Sequence, residues 1–184
     1  RVSPHQEVWH TRTKDEIHLV WKVSRVGELP EVDPQDPAAE AIRRHGYNSP
    51  FEEFAIALAL ARRGVPTTYP RAIYMTGQPR IASAPADSSR HESHAGWRDP
   101  DGEPILRPDR NYIEVWGYWN GSDETLAARS TPVCEPVSLL AARERGWITH
   151  EQCEEWLDRA RAELAAVGWE DLRRDPGHLL LSRT

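Results

Sequence analysis

The stretch Ile17-His18-Leu19-Val20-Trp21-Lys22-Val23 decides how the chain is read, because it is rich in β-formers and holds one of only two lysines. Successive side chains of a strand point to opposite faces, so Ile17, Leu19, Trp21 and Val23 share one face. His18, Val20, Lys22 and Ser24 share the other. The alternation predicts a half-buried strand in which Lys22 sits beside Val20. An ammonium taken out of water is costly unless it meets an anion. Two readings of Lys22 therefore stand side by side. Either it is an exposed-face lysine on an edge strand, or it grips a phosphate together with a carboxylate from a following helix. The second reading uses lysine as a compact point charge, which the planar guanidinium of arginine does not supply. Of 23 basic residues only Lys14 and Lys22 are lysines, and an arginine-rich background makes a lysine at an awkward position worth explaining.

Working outward, Val8–Thr13 alternates in the same way, and Lys14-Asp15 suits a short hairpin turn, although it lacks the glycine of the tightest types. Glu28 to Pro37 is acidic and proline-rich and reads as a loop. Asp36 then offers an N-cap with Pro37 at the first helical position, for a short helix closed by Gly46. The clearest helix signal follows: Ser49 as cap, Pro50 at the first position, and Glu52 completing a Ser-x-x-Glu box ahead of Phe51–Arg63 and Gly64. Glu52 thus has a capping role, which leaves Glu53 freer to point at Lys22. The competing reading has both glutamates simply complementing the helix dipole.

Thr67–Thr76 reads as a strand whose Pro70 implies an edge position or a bulge. Gly77 to Arg110 is polar and loop-like, with a short strand at Arg80–Ser83, and loops of this length are either functional or disordered. Tyr112–Trp119 is again a strand, ending at Asn120-Gly121. The remainder is helical: Asp123–Ala128, Val137–Arg145 stopped by Gly146, and His150–Val167 capped by Thr149 with Gln152 in its box. Cys153, Trp156, Leu157, Ala160, Leu164 and Val167 form the apolar stripe of that last helix. A turn-rich segment, Glu170–Gly177, precedes His178 and the apolar triplet Leu179–Leu181. The fold class is α+β: an antiparallel sheet with one packed helix, then a mostly helical region. Residues 1–119 are the strand-rich part and 120–184 the helical part.

Composition bounds the function. A chain of 184 residues fits one domain and buries roughly 70% of its unfolded surface, enough to fold without staples. A net charge of −6 argues against a broad electrostatic grip on nucleic acid. No apolar run approaches the ~20 residues of a membrane span and no signal-peptide pattern opens the chain, so a cytoplasmic location is the default expectation. Cys134 and Cys153 could pair, but Cys153 lies on the helical stripe, where a buried thiol is the simpler role. Starting at Arg1 rather than Met, the sequence reads as an excerpt of a longer protein.

A strand ending Val20-Trp21-Lys22, a helix carrying Glu53, and a proline-containing return to strands together resemble the small lobe of the protein kinase-like fold, which includes aminoglycoside phosphotransferases. The segment Val115-Trp116-Gly117-Tyr118-Trp119-Asn120-Gly121-Ser122 looks like that family's last small-lobe strand and hinge, with Trp116 at the gatekeeper position. His150–Val167 resembles the helix before the catalytic loop. Asp171-Leu172-Arg173-Arg174-Asp175-Pro176-Gly177-His178 is similar to the family's Asp-Leu-x-Pro-Gly-Asn, and an apolar triplet follows in both.

The resemblance implies ATP and Mg²⁺ as cofactors and a small molecule or protein as phosphoryl acceptor. Lys22 would hold nucleotide phosphates, Glu53 would orient Lys22, and Gly117, Tyr118 and Trp119 would form the hinge. Asp171 would be the catalytic base with Asp175 its rival, and His178 would stand near the metal. The chain departs from the pattern in three places. Thr11–Glu16 contains no glycine-rich phosphate loop; Asp171 stands seven residues before His178 where the family spacing is five; and His178 replaces the metal-binding Asn. A displaced base and an incomplete metal shell imply weak activity or a pseudokinase.

Other features carry less. His91 and His94 have a His-x-x-His spacing but lie in a polar loop without partnered cysteines, and read as solvated. Trp116, Tyr118 and Trp119 could stack a base, though strand packing is the commoner role of such aromatics, which favour sheets. Arg173-Arg174 is a solvated pair unless a nucleotide brings phosphates to it. The rival class of function is a non-catalytic protein-interaction module, its surface drawn from residues 77–110 and exposed aromatics.

Overall fold

The computed structural model describes residues 8–15, 17–26, 30–79, 96–107, 110–118, 137–173 and 175–181. Strands β1 (Val8–Arg12) and β2 (His18–Val23) form the expected hairpin, with Val8 opposite Lys22 and Trp9 opposite Trp21. Thr13 does the work that a turn glycine would otherwise do. Its N–H donates to the Ile17 carbonyl (2.9 Å), and its hydroxyl accepts from the Ile17 N–H (3.1 Å). Helices α1 (Ala39–His45) and α2 (Pro50–Arg62) follow, and the chain returns as β3 (Pro70–Pro79) and β4 (Arg110–Gly117). The sheet order is β1-β2-β4-β3, all antiparallel, so β4 inserts between β2 and β3.

Local chemistry explains these boundaries. Pro70 opens an edge strand at a register shift, where its missing N–H breaks no ladder bond. β3 runs on to Pro79, past the loop start expected at Gly77, because its pairing continues to Pro79 opposite Arg110. α1 begins at Ala39 rather than Pro37. Asp36 accepts from Ala38 N–H through its carboxylate (2.8 Å) and from Ala39 N–H through its carbonyl (2.9 Å), so it closes a turn ahead of the helix. α2 carries the full capping box: Glu52 N–H donates to Ser49 Oγ (3.1 Å), and Ser49 N–H donates to Glu52 Oε2 (2.7 Å).

Burial separates the two sheet faces. Along β4, Tyr112, Glu114 and Trp116 are buried while the alternate residues are only partly so. α2 covers that face, with Phe51 edge-on to Tyr112 (6.2 Å between centroids) and Phe54 edge-on to Trp116 (4.8 Å). Tyr112 is also bonded at its tip, donating to the Ile105 carbonyl (2.8 Å) and accepting from Arg107 N–H (2.6 Å). Val26, Leu106 and Tyr112 make the core there. The opposite face carries the stacked pair Trp9–Trp21 (5.8 Å), and Tyr74 on it is 59% exposed.

A second core lies in the C-terminal part, built from β5 (Val137–Ser138), α3 (Leu139–Glu144), α4 (His150–Ala166) and β6 (Leu180–Leu181). β5 pairs antiparallel with β6, so Leu181 returns beside Val137. Ser138 caps α3, which therefore starts at Leu139 rather than Val137. Leu139, Cys153 and Leu157 are the buried centre, with Ile148, Leu179 and Leu181 against them. Cys153 is a buried free thiol, as its stripe position predicts, whereas Trp156 of the same stripe is 39% exposed. The Arg63 guanidinium donates to the Val167 carbonyl and ties the end of α2 to the end of α4.

The architecture is thus α+β, an antiparallel sheet with helices. Among the described residues no helix is long and apolar enough to cross a membrane. The expected strand Arg80–Ser83, the helix Asp123–Ala128, the boundary at Asn120-Gly121, His91, His94 and Cys134 lie outside the described residues.

Candidate functional site: a lysine bracketed by two carboxylates

The buried face of the sheet places Lys22, near the C-terminal end of β2, directly opposite Glu114 of β4. The Lys22 ammonium donates to Glu53 Oε2 and lies 3.2 Å from Glu114 Oε2. Glu53 reaches the ammonium because the capping box holds the first turn of α2 against the sheet and Glu52, not Glu53, closes the box. Phe54, the next residue, fixes the helix on Trp116. The Trp116 ring in turn lies 5.8 Å from Lys22 Nζ, within reach of a cation–π contact.

The three charged groups differ in exposure, and the difference sets their chemistry. The side chains of Lys22 and Glu53 are 28% and 26% exposed, whereas Glu114 is fully buried. Burial works against the Lys22 ammonium, but the two carboxylates outweigh it and hold its pKa above the ordinary value. Glu114 goes the other way. Burial pushes its carboxyl up to about 7, against the pull of Lys22 and with a further push from Glu53. Its Oε2 also accepts from Trp116 Nε1 (3.3 Å), while its Oε1 is buried with no hydrogen-bond partner. An ammonium has three donors. Two are turned to carboxylates, which leaves one N–H that neither carboxylate takes.

The far end of the same face holds His10, His18 and Tyr118. His10 Nε2 and His18 Nδ1 are 2.9 Å apart, and Tyr118 tilts against both rings (4.7 and 5.6 Å). Partial burial and the neighbouring His18 lower the His10 pKa, so a neutral ring is favoured there. Gly117 N–H donates to the Tyr69 carbonyl (2.8 Å), so this amide already has a backbone acceptor. Trp119, the third residue of the expected hinge, lies outside the described residues.

Asp171, Asp175 and His178 are placed by turns in the segment between α4 and β6. Asp171 Oδ1 accepts from Arg173 N–H (3.1 Å) and Asp175 Oδ1 from Gly177 N–H (2.7 Å), the self-bonding pattern of Asx turns. His178 N–H donates to the Asp175 carbonyl (2.9 Å), and its Nε2 stands 3.7 Å from Asp175 Oδ2. The chain therefore brings together Lys22 with Glu53, and Asp175 with His178, as two separate pairs. One carboxylate and one imidazole do not fit magnesium, which takes a nearly all-oxygen octahedral shell. Among the described residues no three His, Cys, Asp or Glu side chains form a metal-holding group.

Glu114 is the member of the Lys22 cluster that the sequence reading did not single out. The signal was there: it alternates with Tyr112 and Trp116, so a buried β4 face had to bury a glutamate too.

The class defined by fold and site is an α+β protein whose sheet and first long helix enclose a Glu–Lys–Glu cluster. The chain matches no protein-family model, no curated protein and no solved structure.

Proposed function

We propose that the chain is a nucleotide-binding domain of the kinase-like type, an ATP-dependent phosphotransferase or a pseudokinase, in which Lys22 holds nucleotide phosphates and Glu53 orients Lys22. The observation that carries this reading is the Lys22–Glu53 ion pair, which runs from a central strand to the first turn of the helix packed on it. In protein kinases a strand lysine contacts the phosphates, and its ion pair with a helix glutamate must be in place for transfer. Such catalysis consists almost entirely of positioning and charge stabilisation, and a lysine clamped at two of its three donors is well positioned.

Gly117, Tyr118 and Trp119 would form the wall for the base. Asp171 is the candidate base, with Asp175 as rival; in both, Oδ1 already accepts from a backbone N–H two residues on. Mg²⁺ would arrive with the nucleotide phosphates, and no protein group is assigned to it. The acceptor would be a small molecule or a protein.

Thermal unfolding with ATP and Mg²⁺ tests this reading. A ligand at ~100 times its Kd adds about 2.7 kcal/mol, which for a chain of this size raises Tm by about 5–10 °C. Lys22→Ala should lose most of that rise. A parent protein with no shift would overturn the reading.

A second reading, a non-catalytic protein-interaction module, draws support from the open sheet face, where Trp9 is 38% and Tyr74 59% exposed. Absence of an ATP shift, together with Trp9→Ser and Tyr74→Ser variants that fold as stably as the parent, would favour it.

A further inference from the structure

We propose that Glu114 is a positioning residue whose proton sets the hold of Lys22 on a phosphate, so that a phosphate-bearing ligand and one proton bind together. The proposal rests on the reading of Lys22 as the phosphate group's partner.

The geometry carries it. Glu114 sits opposite Lys22 in the β2–β4 ladder, with Oε2 3.2 Å from the ammonium, and its side chain is fully buried. Oε2 has two donors, Lys22 Nζ and Trp116 Nε1, while Oε1 has none. A buried carboxylate with one oxygen lacking any donor is poorly satisfied as an ion, and a neutral carboxyl is far cheaper to bury.

Lys22 does not hold Glu114 ionised, because burial of the carboxyl outweighs its attraction and Glu53 takes part of its charge from the other side. The charged groups acting on Glu114 are Lys22 from β2 and Glu53 from α2, while β3 presents the apolar Ile73 at the paired position. Burial and Glu53 together keep its carboxyl protonated up to about pH 7, against Lys22.

The charge count then decides what a phosphate meets. With Glu114 protonated, Lys22 and Glu53 cancel, and the remaining ammonium N–H faces a site without net charge. With Glu114 ionised, the cluster carries one negative charge, its second carboxylate competes for the same ammonium, and a phosphate is repelled. The step is a plain protonation: one solvent proton bonds to the Glu114 carboxylate, and no covalent bond of ligand or protein breaks. By linkage, phosphate binding raises the proton affinity of Glu114, and affinity falls as pH rises above its titration midpoint.

Two measurements test the proposal. First, ¹³C NMR of the glutamate carboxyls in the ligand-free chain should show one group titrating close to neutrality that is missing from Glu114→Gln. A Glu114 signal titrating in the ordinary carboxylate range overturns the proposal. Second, calorimetric titration with ATP and Mg²⁺ between pH 6 and 8.5 should show parent affinity falling toward tenfold per pH unit at the alkaline end. Glu114→Gln should show only the shallow trend of the ligand's own phosphates. Calorimetry in buffers of different ionisation enthalpy should report uptake of up to one proton by the parent. Parallel pH profiles for parent and Glu114→Gln overturn the proposal and leave the nucleotide reading intact. No ATP binding by the parent at any pH removes both, whatever the carboxyl signal does.

Discussion

Lys22 and Glu114 face each other across the β2–β4 ladder, Nζ 3.2 Å from Oε2, with the lysine partly open to solvent and the glutamate wholly enclosed. That asymmetry leaves the ammonium reachable from solvent and makes the enclosed carboxylate a strain on the fold. Each consequence is open to measurement.

The pH dependence of stability follows from Glu114. Its carboxyl moves from an ordinary 4.5 to about 7 on folding. Between those values the folded chain binds more protons than the unfolded one, so stability should fall as pH rises through that window and level off above it. The total is on the order of 3 kcal/mol. Urea unfolding at pH 5, 6 and 7.5 should show this decline in the parent, and Glu114→Gln should lack it. An unchanged slope in the variant would assign the decline to other groups.

Lys22→Met removes the ammonium that both carboxylates face. Breaking a buried pair costs up to about 3–5 kcal/mol, and the partial exposure of Lys22 puts the expected loss nearer 1–3 kcal/mol. Glu114→Gln in the Lys22→Met background should recover part of it, because the carboxyl whose burial Lys22 offsets is gone. A double-mutant cycle reads this as a coupling of about 1 kcal/mol or more. Simple additivity would mean that the two groups do not interact.

The adjacent glutamates of α2 should behave oppositely. Glu52→Ala opens the capping box and should cost about 0.5–2 kcal/mol while leaving the Tm rise with ATP in place. Glu53→Gln should cost less stability but blunt the ATP response, because it removes the Lys22 partner. Equal effects on both readouts would deny the division of labour.

Tyr112 holds the 96–107 segment to the sheet through its hydroxyl. Tyr112→Phe keeps the ring in its apolar cluster but strands the Ile105 carbonyl and the Arg107 N–H, at about 1–3 kcal/mol. Hydrogen exchange at Arg107 should accelerate markedly. Unchanged protection there would show that the loop is anchored by something else.

Much of this was legible in the linear chain because its causes are local. Alternation in residues 17–24 put Lys22 and Val20 on one face, and the observed register agrees. Ser49, Pro50 and Glu52 announced the start of α2 and left Glu53 uncommitted, since capping involves only neighbours three residues apart. Pro70 marked an edge strand because it lacks an N–H. The hairpin and the buried Cys153 were readable for similar reasons.

What could not be read there depends on pairing between distant segments. Nothing near Glu114 in sequence says that β4 lies between β2 and β3, and only that insertion puts Glu114 opposite a lysine 92 positions earlier and under a helix. The apolar triplet after His178 becomes partly a strand only because β5 pairs with it. Likewise, the charge of a glutamate is a property of its surroundings. Residue type makes Glu114 an acid, but enclosure by Trp116, Lys22 and α2 moves its proton to neutral pH. Short-range propensities are written along the chain, whereas desolvation exists only once distant segments have closed around a group.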